Sequence, residues 1–129
     1  MATRRWRKLA VNAGINAVTA LARVKNTALL EPISPVAARA ARETARVARA
    51  SDTDLAGEAA VEAVETVAAA TADNQSSMLQ DVRAGRPTEV DAINGAVVRR
   101  GEALGVETPT NRALTELLRL WAAANANTD

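Results

Sequence analysis

Two residues of 129, Trp6 and Trp121, carry all the aromatic side chains of this chain. Its core must therefore be assembled from Ala, Val, Leu and Ile. Small side chains let helices approach closely, but each buries little area, so each helix adds modest stability. Hydrophobic residues still make up 48% of the sequence and charged residues 24%, the balance of a folded domain rather than a disordered tract. The length suits one compact domain. Apolar residues recur at helical spacing, and no segment sustains period-two alternation, so the fold class expected is all-α.

Prolines, glycines and capping residues divide the chain into about six helices with short connections. The first is predicted from about Arg5 to Val24, with Thr3 as its cap. Glu31-Pro32-Ile33-Ser34-Pro35 is a break, and Ser34 before Pro35 is a cap followed by proline at the first helical position. The helix that follows runs to about Ala50. Its Arg39, Arg42, Arg46 and Arg49 read as a solvated stripe that includes Glu43. Asp54 opens a third helix to about Asp73, with Glu58, Glu62 and Glu65 outward and Val61, Val64 and Val67 inward. A short helix through Met78, Leu79 and Val82 ends near Gly85. Thr88 is placed to cap a helix that starts at Glu89, carries Val90, Ile93, Val97 and Leu104, and stops at Gly105. A last helix follows Pro109 with Leu114, Leu117, Leu118 and Trp121. The tail from Asn125 to Asp129 is expected to fray.

Composition narrows the chemistry. The formal charge of +1 gives no bulk attraction to nucleic acid or anionic lipid, and neither is expected as a partner. Cysteine and histidine are both absent, which removes thiolate sites, the commonest metal ligand and the usual neutral-pH base. No metal site is expected. Acid–base chemistry is left to Lys, Asp or Glu. The apolar run from Leu9 to Leu21 is interrupted by Asn12 and Asn16 and is short for a membrane span. A cytoplasmic location is the default expectation.

Within that run, Lys8, Asn12 and Asn16 recur at four-residue spacing, which stacks them on one helical face. A lysine and two carboxamides among aliphatics either lie on an ordinary wet face or line a polar pocket. Further strings accompany this ladder: Ser76-Ser77-Met78-Leu79-Gln80-Asp81, then Thr88-Glu89-Val90-Asp91 with Asn94-Gly95, then Gly105-Val106 with Thr108-Pro109 and Asn111. In order and spacing, from Trp6 to about Leu118, the set resembles the C-terminal domain of ketopantoate reductase.

The resemblance implies an all-helical domain, similar to the C-terminal domain of 6-phosphogluconate dehydrogenase, that packs against an N-terminal Rossmann domain holding NADPH. It implies reduction of ketopantoate to pantoate, a step toward pantothenate. By the same resemblance Lys8 is the catalytic lysine that protonates the ketone oxygen. Asn12, Asn16 and Asn26 bind substrate. Ser77 takes the substrate carboxylate, with Met78, Leu79 and Gln80 as the adjoining wall. Glu89 stands at the cofactor end of the cleft, and Asn74 lies near the Ser77 junction. The chemistry suits these residue types. Hydride addition builds negative charge on oxygen, which an ammonium stabilises and protonates, while amides orient polar groups without adding charge. Taken singly, Ser77 and Glu89 are also ordinary cap and first-turn residues. Arg99-Arg100 reads as an exposed face or a contact to another domain.

The sequence departs from the family in one large respect. It has no Gly-x-Gly-x-x-Gly after a strand and no β-α-β pattern, so the Rossmann domain is expected to be absent. Residues 1–129 are then expected to be the substrate half alone, a fragment inactive by itself, completed by a Rossmann domain in cis or in trans. Smaller departures are Ala17, where the family often has proline, and Thr27, where it often has glycine. Two other functions stay open. One is a non-catalytic helical interaction module, where an apolar face left by the missing domain favours a homodimer. The other is a reductase of a different 2-keto acid.

Overall fold

The first helix organises the rest. In the computed structural model, which describes residues 2–126, α1 (Ala2–Ala22) packs against four other helices. These are α2 (Pro35–Ala50), α3 (Gly57–Ala70), α4 (Ser77–Ala84) and α6 (Pro109–Ala126); α5 (Asn94–Leu104) packs on α2 and α6. Two 3-10 turns, Asn26–Leu29 and Val90–Ala92, complete the order. Among the described residues there is no strand, and the fold is all-α.

Close approach replaces bulk in the core. Gly14 faces Val64 and the backbone of Ala37, and a Cβ there would meet Val64 Cγ2 at 3.0 Å and the Ala37 carbonyl oxygen at 3.1 Å. Any added side chain there would press on both neighbours, so glycine suits this close approach of α1 to α2 and α3. Around this contact Trp6, Ala10 and Ile15 meet Ala41, Ala45, Val47, Leu55, Val61 and Val64 in one apolar cluster. A second cluster joins Ala17 and Ala20 to Ala40, Met78, Leu79, Val82, Val90, Leu114 and Leu118.

Local capping chemistry sets several ends. Ser34 Oγ accepts from the Ala37 N–H at 3.2 Å with Pro35 at the first helical position. Gly85 and Gly105 close α4 and α5 with φ of 71° and 73°. Other ends differ from the sequence reading. Helix α1 begins at Ala2, so Thr3 lies inside it, and it ends at Ala22 because Arg23 turns left-handed at φ 59°. Helix α3 begins at Gly57 after Ala56, without a side-chain cap from Asp54, and stops at Ala70. Val67 is 38% exposed rather than inward. The helix expected from Glu89 is split. Thr88 Oγ1 does accept from the Val90 N–H at 3.3 Å, but Ile93 leaves helical geometry and α5 starts only at Asn94. On α6, Leu117 and Leu120 point outward, 49% and 66% exposed. Asn125 and Ala126 are helical, and the rest of the predicted frayed tail, 127–129, lies outside the described residues.

Glu43 is the largest departure. It is buried, not part of the solvated arginine stripe. Its Oε1 accepts from the Asn111 backbone N–H at 3.0 Å and from Asn111 Nδ2 at 2.9 Å, and its Oε2 accepts from the Thr110 N–H at 2.9 Å. The carboxylate thus caps the start of α6 from α2, where free N–H groups and the helix dipole favour an anion. Asn111 Nδ2 also donates to the Ala40 carbonyl at 3.1 Å, and Asn94 Nδ2 donates to Asn111 Oδ1 at 2.9 Å and to the Ala13 carbonyl at 3.1 Å. One buried network therefore ties α2, α6, α5 and α1.

Glu43→Ala leaves three donors of Thr110 and Asn111 without their carboxylate. The expected loss is about 2–4 kcal/mol of unfolding free energy. In urea denaturation this appears as a lower midpoint with an unchanged slope. Glu43→Gln, which keeps one acceptor oxygen, is expected to lose less.

Candidate functional site

Helix α1 carries Lys8, Asn12 and Asn16 on its outer edge, between two grooves. The four-residue spacing places the three side chains one turn above another, as the sequence suggests. Lys8 is exposed, and Asn12 and Asn16 are half-buried. None of the three side chains hydrogen-bonds to another described residue, so all three are available to a ligand.

The larger groove, about 700 Å³, lies between α1 and α3. Arg4, Arg7, Lys8, Val11 and Asn12 form its α1 side, and Ala59, Glu62, Ala63, Thr66 and Val67 its α3 side. Three cations thus face a mostly aliphatic wall holding one carboxylate. On the other flank of α1 a second groove is bounded by Arg5, Trp6, Leu9, Ala92, Ala96 and Arg100. The Arg100 guanidinium stacks over the Trp6 ring at 5.3 Å.

The remaining predicted residues gather toward the C-terminal end of α1. Thr19 Oγ1 lies 2.7 Å from Ser76 Oγ, which pins the start of α4 to α1. Ser76 is the cap of α4: its Oγ accepts from the Leu79 N–H at 3.1 Å. Ser77 is the first helical residue, its side chain exposed and unbonded, beside first-turn N–H groups that have no helical acceptor. Thr19 also donates to the Asn16 carbonyl at 3.2 Å, so the start of α4 is held beside the backbone of Asn16.

Asn26 is held at the same end. Its N–H donates to the Asn74 carbonyl at 3.1 Å and its Nδ2 to Thr71 Oγ1 at 2.9 Å, while its buried Oδ1 has no partner. Asn74 therefore contributes backbone to this junction. Met78 and Leu79 fill the second core cluster, 2% and 0% exposed, so their side chains do not form an accessible wall. Gln80 is exposed and its Nε2 donates to the Gln75 carbonyl at 3.1 Å. Glu89 is exposed just before the Val90–Ala92 turn, and it does not line the Lys8 groove.

Sequence reasoning missed the α3 wall and the Thr19–Ser76 clasp. The α3 wall was legible in part, since Glu62 and Thr66, like Ala59, Ala63 and Val67, repeat every four residues. The clasp joins residues 57 apart and had no local signal. Among the described residues no group of His, Cys, Asp and Glu is arranged to hold a metal ion, and no helix is long and apolar enough to cross a membrane.

Residues 1–122 match the family described as ketopantoate reductase PanE/ApbA C terminal. The chain belongs to this family. It is 48% identical over 116 residues to a 2-dehydropantoate 2-reductase of Pyrobaculum aerophilum, covering 89% of this chain and 42% of that protein. A Vibrio cholerae enzyme of the same name is 44% identical over 115 residues, covering 88% and 39%. The chain thus spans about two fifths of the length of these curated relatives. Its fold is similar to that of a ketopantoate reductase from Ralstonia eutropha, with TM-score 0.86 at 32% identity over 97% of this chain and 42% of that one. It is equally close in shape to a D-mandelate dehydrogenase solved with NADH and anilino(oxo)acetate, with TM-score 0.86 at 28% identity over 95% and 70%.

Lys8 and Asn12 are surface groups without partners in the protein. Lys8→Ala and Asn12→Ala are therefore expected to shift thermal or urea unfolding by no more than about 0.5 kcal/mol. Any larger effect on ligand binding or turnover then reports the site and not the fold.

Proposed function

We propose that this chain is the substrate-binding and proton-donating half of a reductase that converts ketopantoate to pantoate. The observation that carries the reading is the strip of unpartnered polar groups on α1 opening onto a cationic groove, in a chain of the ketopantoate reductase family. In this role Lys8 delivers a proton to the ketone oxygen as charge builds there, and Asn12 and Asn16 orient the carbonyl. Ser77, with the free N–H groups at the start of α4, receives the carboxylate. The buried, unsatisfied Asn26 Oδ1 stands at the same end as a candidate acceptor for a substrate hydroxyl.

NADPH, when bound, supplies the hydride. The residues here do not fit its pyrophosphate, because among the described residues there is no strand and hence no strand–glycine–helix turn. Only Glu89 is assigned to the cofactor end. The dinucleotide therefore belongs to a Rossmann domain supplied in cis or in trans, and the 129-residue chain alone is read as inactive. A ketopantoate reductase of Staphylococcus aureus with a similar fold is dimeric, and a homodimer is part of the reading for this chain as well.

The test is a hybrid in which this chain follows the N-terminal part of the Pyrobaculum aerophilum enzyme. The chain alone is expected to leave NADPH unoxidised with ketopantoate, and the hybrid to oxidise it. Lys8→Ala in the hybrid should lower kcat by about 100-fold or more. A hybrid that folds and binds NADPH yet reduces no 2-keto acid would refute the reading.

A further inference from the structure

We propose that Thr19 is a positioning residue for the substrate's carboxylate: through Ser76 it fixes where the start of α4 stands beside Asn16. This rests on the function proposed above, which gives the carboxylate to Ser77 and the first-turn N–H groups of α4.

Three threonines are buried within helices, Thr19, Thr44 and Thr115. Each donates its hydroxyl to the carbonyl four residues back, at 2.8, 2.8 and 2.7 Å. A helical threonine can satisfy itself in this way without any other helix. Among the described residues, Thr44 and Thr115 make no further side-chain bond. Thr19 alone of the three reaches the start of another helix, with its Oγ1 2.7 Å from Ser76 Oγ.

The protons give that contact a direction. Thr19 has one hydroxyl proton, committed to the Ile15 carbonyl at 2.8 Å and, at the longer distance of 3.2 Å, to that of Asn16. Thr19 Oγ1 therefore accepts from Ser76, whose own oxygen accepts from the Leu79 N–H at 3.1 Å. A chain of donors thus runs from α4 through Ser76 and Thr19 into the backbone of α1. Both hydroxyl residues are buried, so a broken link leaves a polar group without a water to replace its partner.

The consequence falls on the first turn of α4. Ser76 takes the N–H of Leu79 with its side chain and that of Gln80 with its carbonyl. The N–H groups of Ser77 and Met78 are left as the free donors, next to the exposed Ser77 hydroxyl. They follow directly on the residue that Thr19 holds, so a hydroxyl that touches no substrate sets their place relative to Asn16. A carboxylate keeps its charge through hydride addition at the neighbouring ketone, so donors to it hold ground and transition states alike. Loosening such donors raises KM and leaves kcat nearly unchanged.

The hybrid enzyme described above is the test, with ketopantoate and NADPH as substrates. Thr19→Val, of similar size but without the hydroxyl, is expected to raise KM for ketopantoate about 5-fold or more, with kcat within about 2-fold. Thr19→Ser, which keeps the hydroxyl, should restore most of the lost affinity. Thr44→Val removes a hydroxyl just as buried but bonded only within α2, and should leave KM unchanged. Ser76→Gly cuts the contact from the other side at little cost as a cap, and keeps the test decisive if Thr19→Val does not fold. The two changes together should raise KM no further than either alone, because they remove one shared contact. Amide spectra of the nitrogen-labelled variants report which of them are folded. An unchanged KM in the folded Thr19 and Ser76 variants, a fall in kcat alone, an equal effect of Thr44→Val, or multiplied effects in the double variant would overturn the assignment. Any of these in a hybrid that reduces ketopantoate through Lys8 leaves the proposed function standing. A hybrid that folds and binds NADPH yet reduces no 2-keto acid refutes both.

Discussion

The carboxylate of Glu43 is the interaction on which the arrangement of this domain depends. Small side chains pack closely but discriminate poorly between one helix orientation and another, because alanine faces resemble each other. Glu43 supplies the missing direction. By capping α6 from α2 and holding Asn111, it fixes where α6 begins, and Asn111 in turn fixes Asn94 at the start of α5. Asn94 reaches the Ala13 carbonyl and so relates both helices to α1. A buried charge of this kind is favourable only when its hydrogen bonds are complete, and here both oxygens are used.

The site inherits its geometry from the same packing. Gly14 draws α1 against α2 and α3, which sets the width of the groove between Lys8 and the α3 wall. The Thr19–Ser76 contact sets the other end, bringing the start of α4 beside Asn16. The polar edge of α1 is therefore framed by one apolar contact and one hydroxyl pair. The polar side chains between them need no protein partner of their own.

Much of this was legible in the sequence where the signal is local. Ser34-Pro35 marks the start of α2, and Gly85 and Gly105 mark helix ends, because capping and left-handed turns are decided within a few residues. The Lys8–Asn12–Asn16 edge follows from spacing alone. What sequence reading lost was set by distant partners. Glu43 sits among arginines in sequence, yet its spacing from Ala40 and Val47 places it on the apolar face of α2, and only the start of α6 explains its burial. The helix expected from Glu89 breaks at Ile93, and the new helix starts where Asn94 is held by Ala13 and Asn111. Met78 and Leu79 belong to a string that also contains a candidate site residue, but pattern cannot separate packing from binding within one helical turn.

The two tryptophans give this aromatic-poor chain a spectroscopic consequence. Trp6 is buried under the Arg100 guanidinium, one turn or less from Lys8, while Trp121 is half-buried against the second cluster near the end of α6. With no tyrosine and no other indole, ultraviolet emission comes from these two rings alone. Replacing either one leaves a single chromophore, so light from the first and from the second core cluster can be recorded separately without attaching a dye.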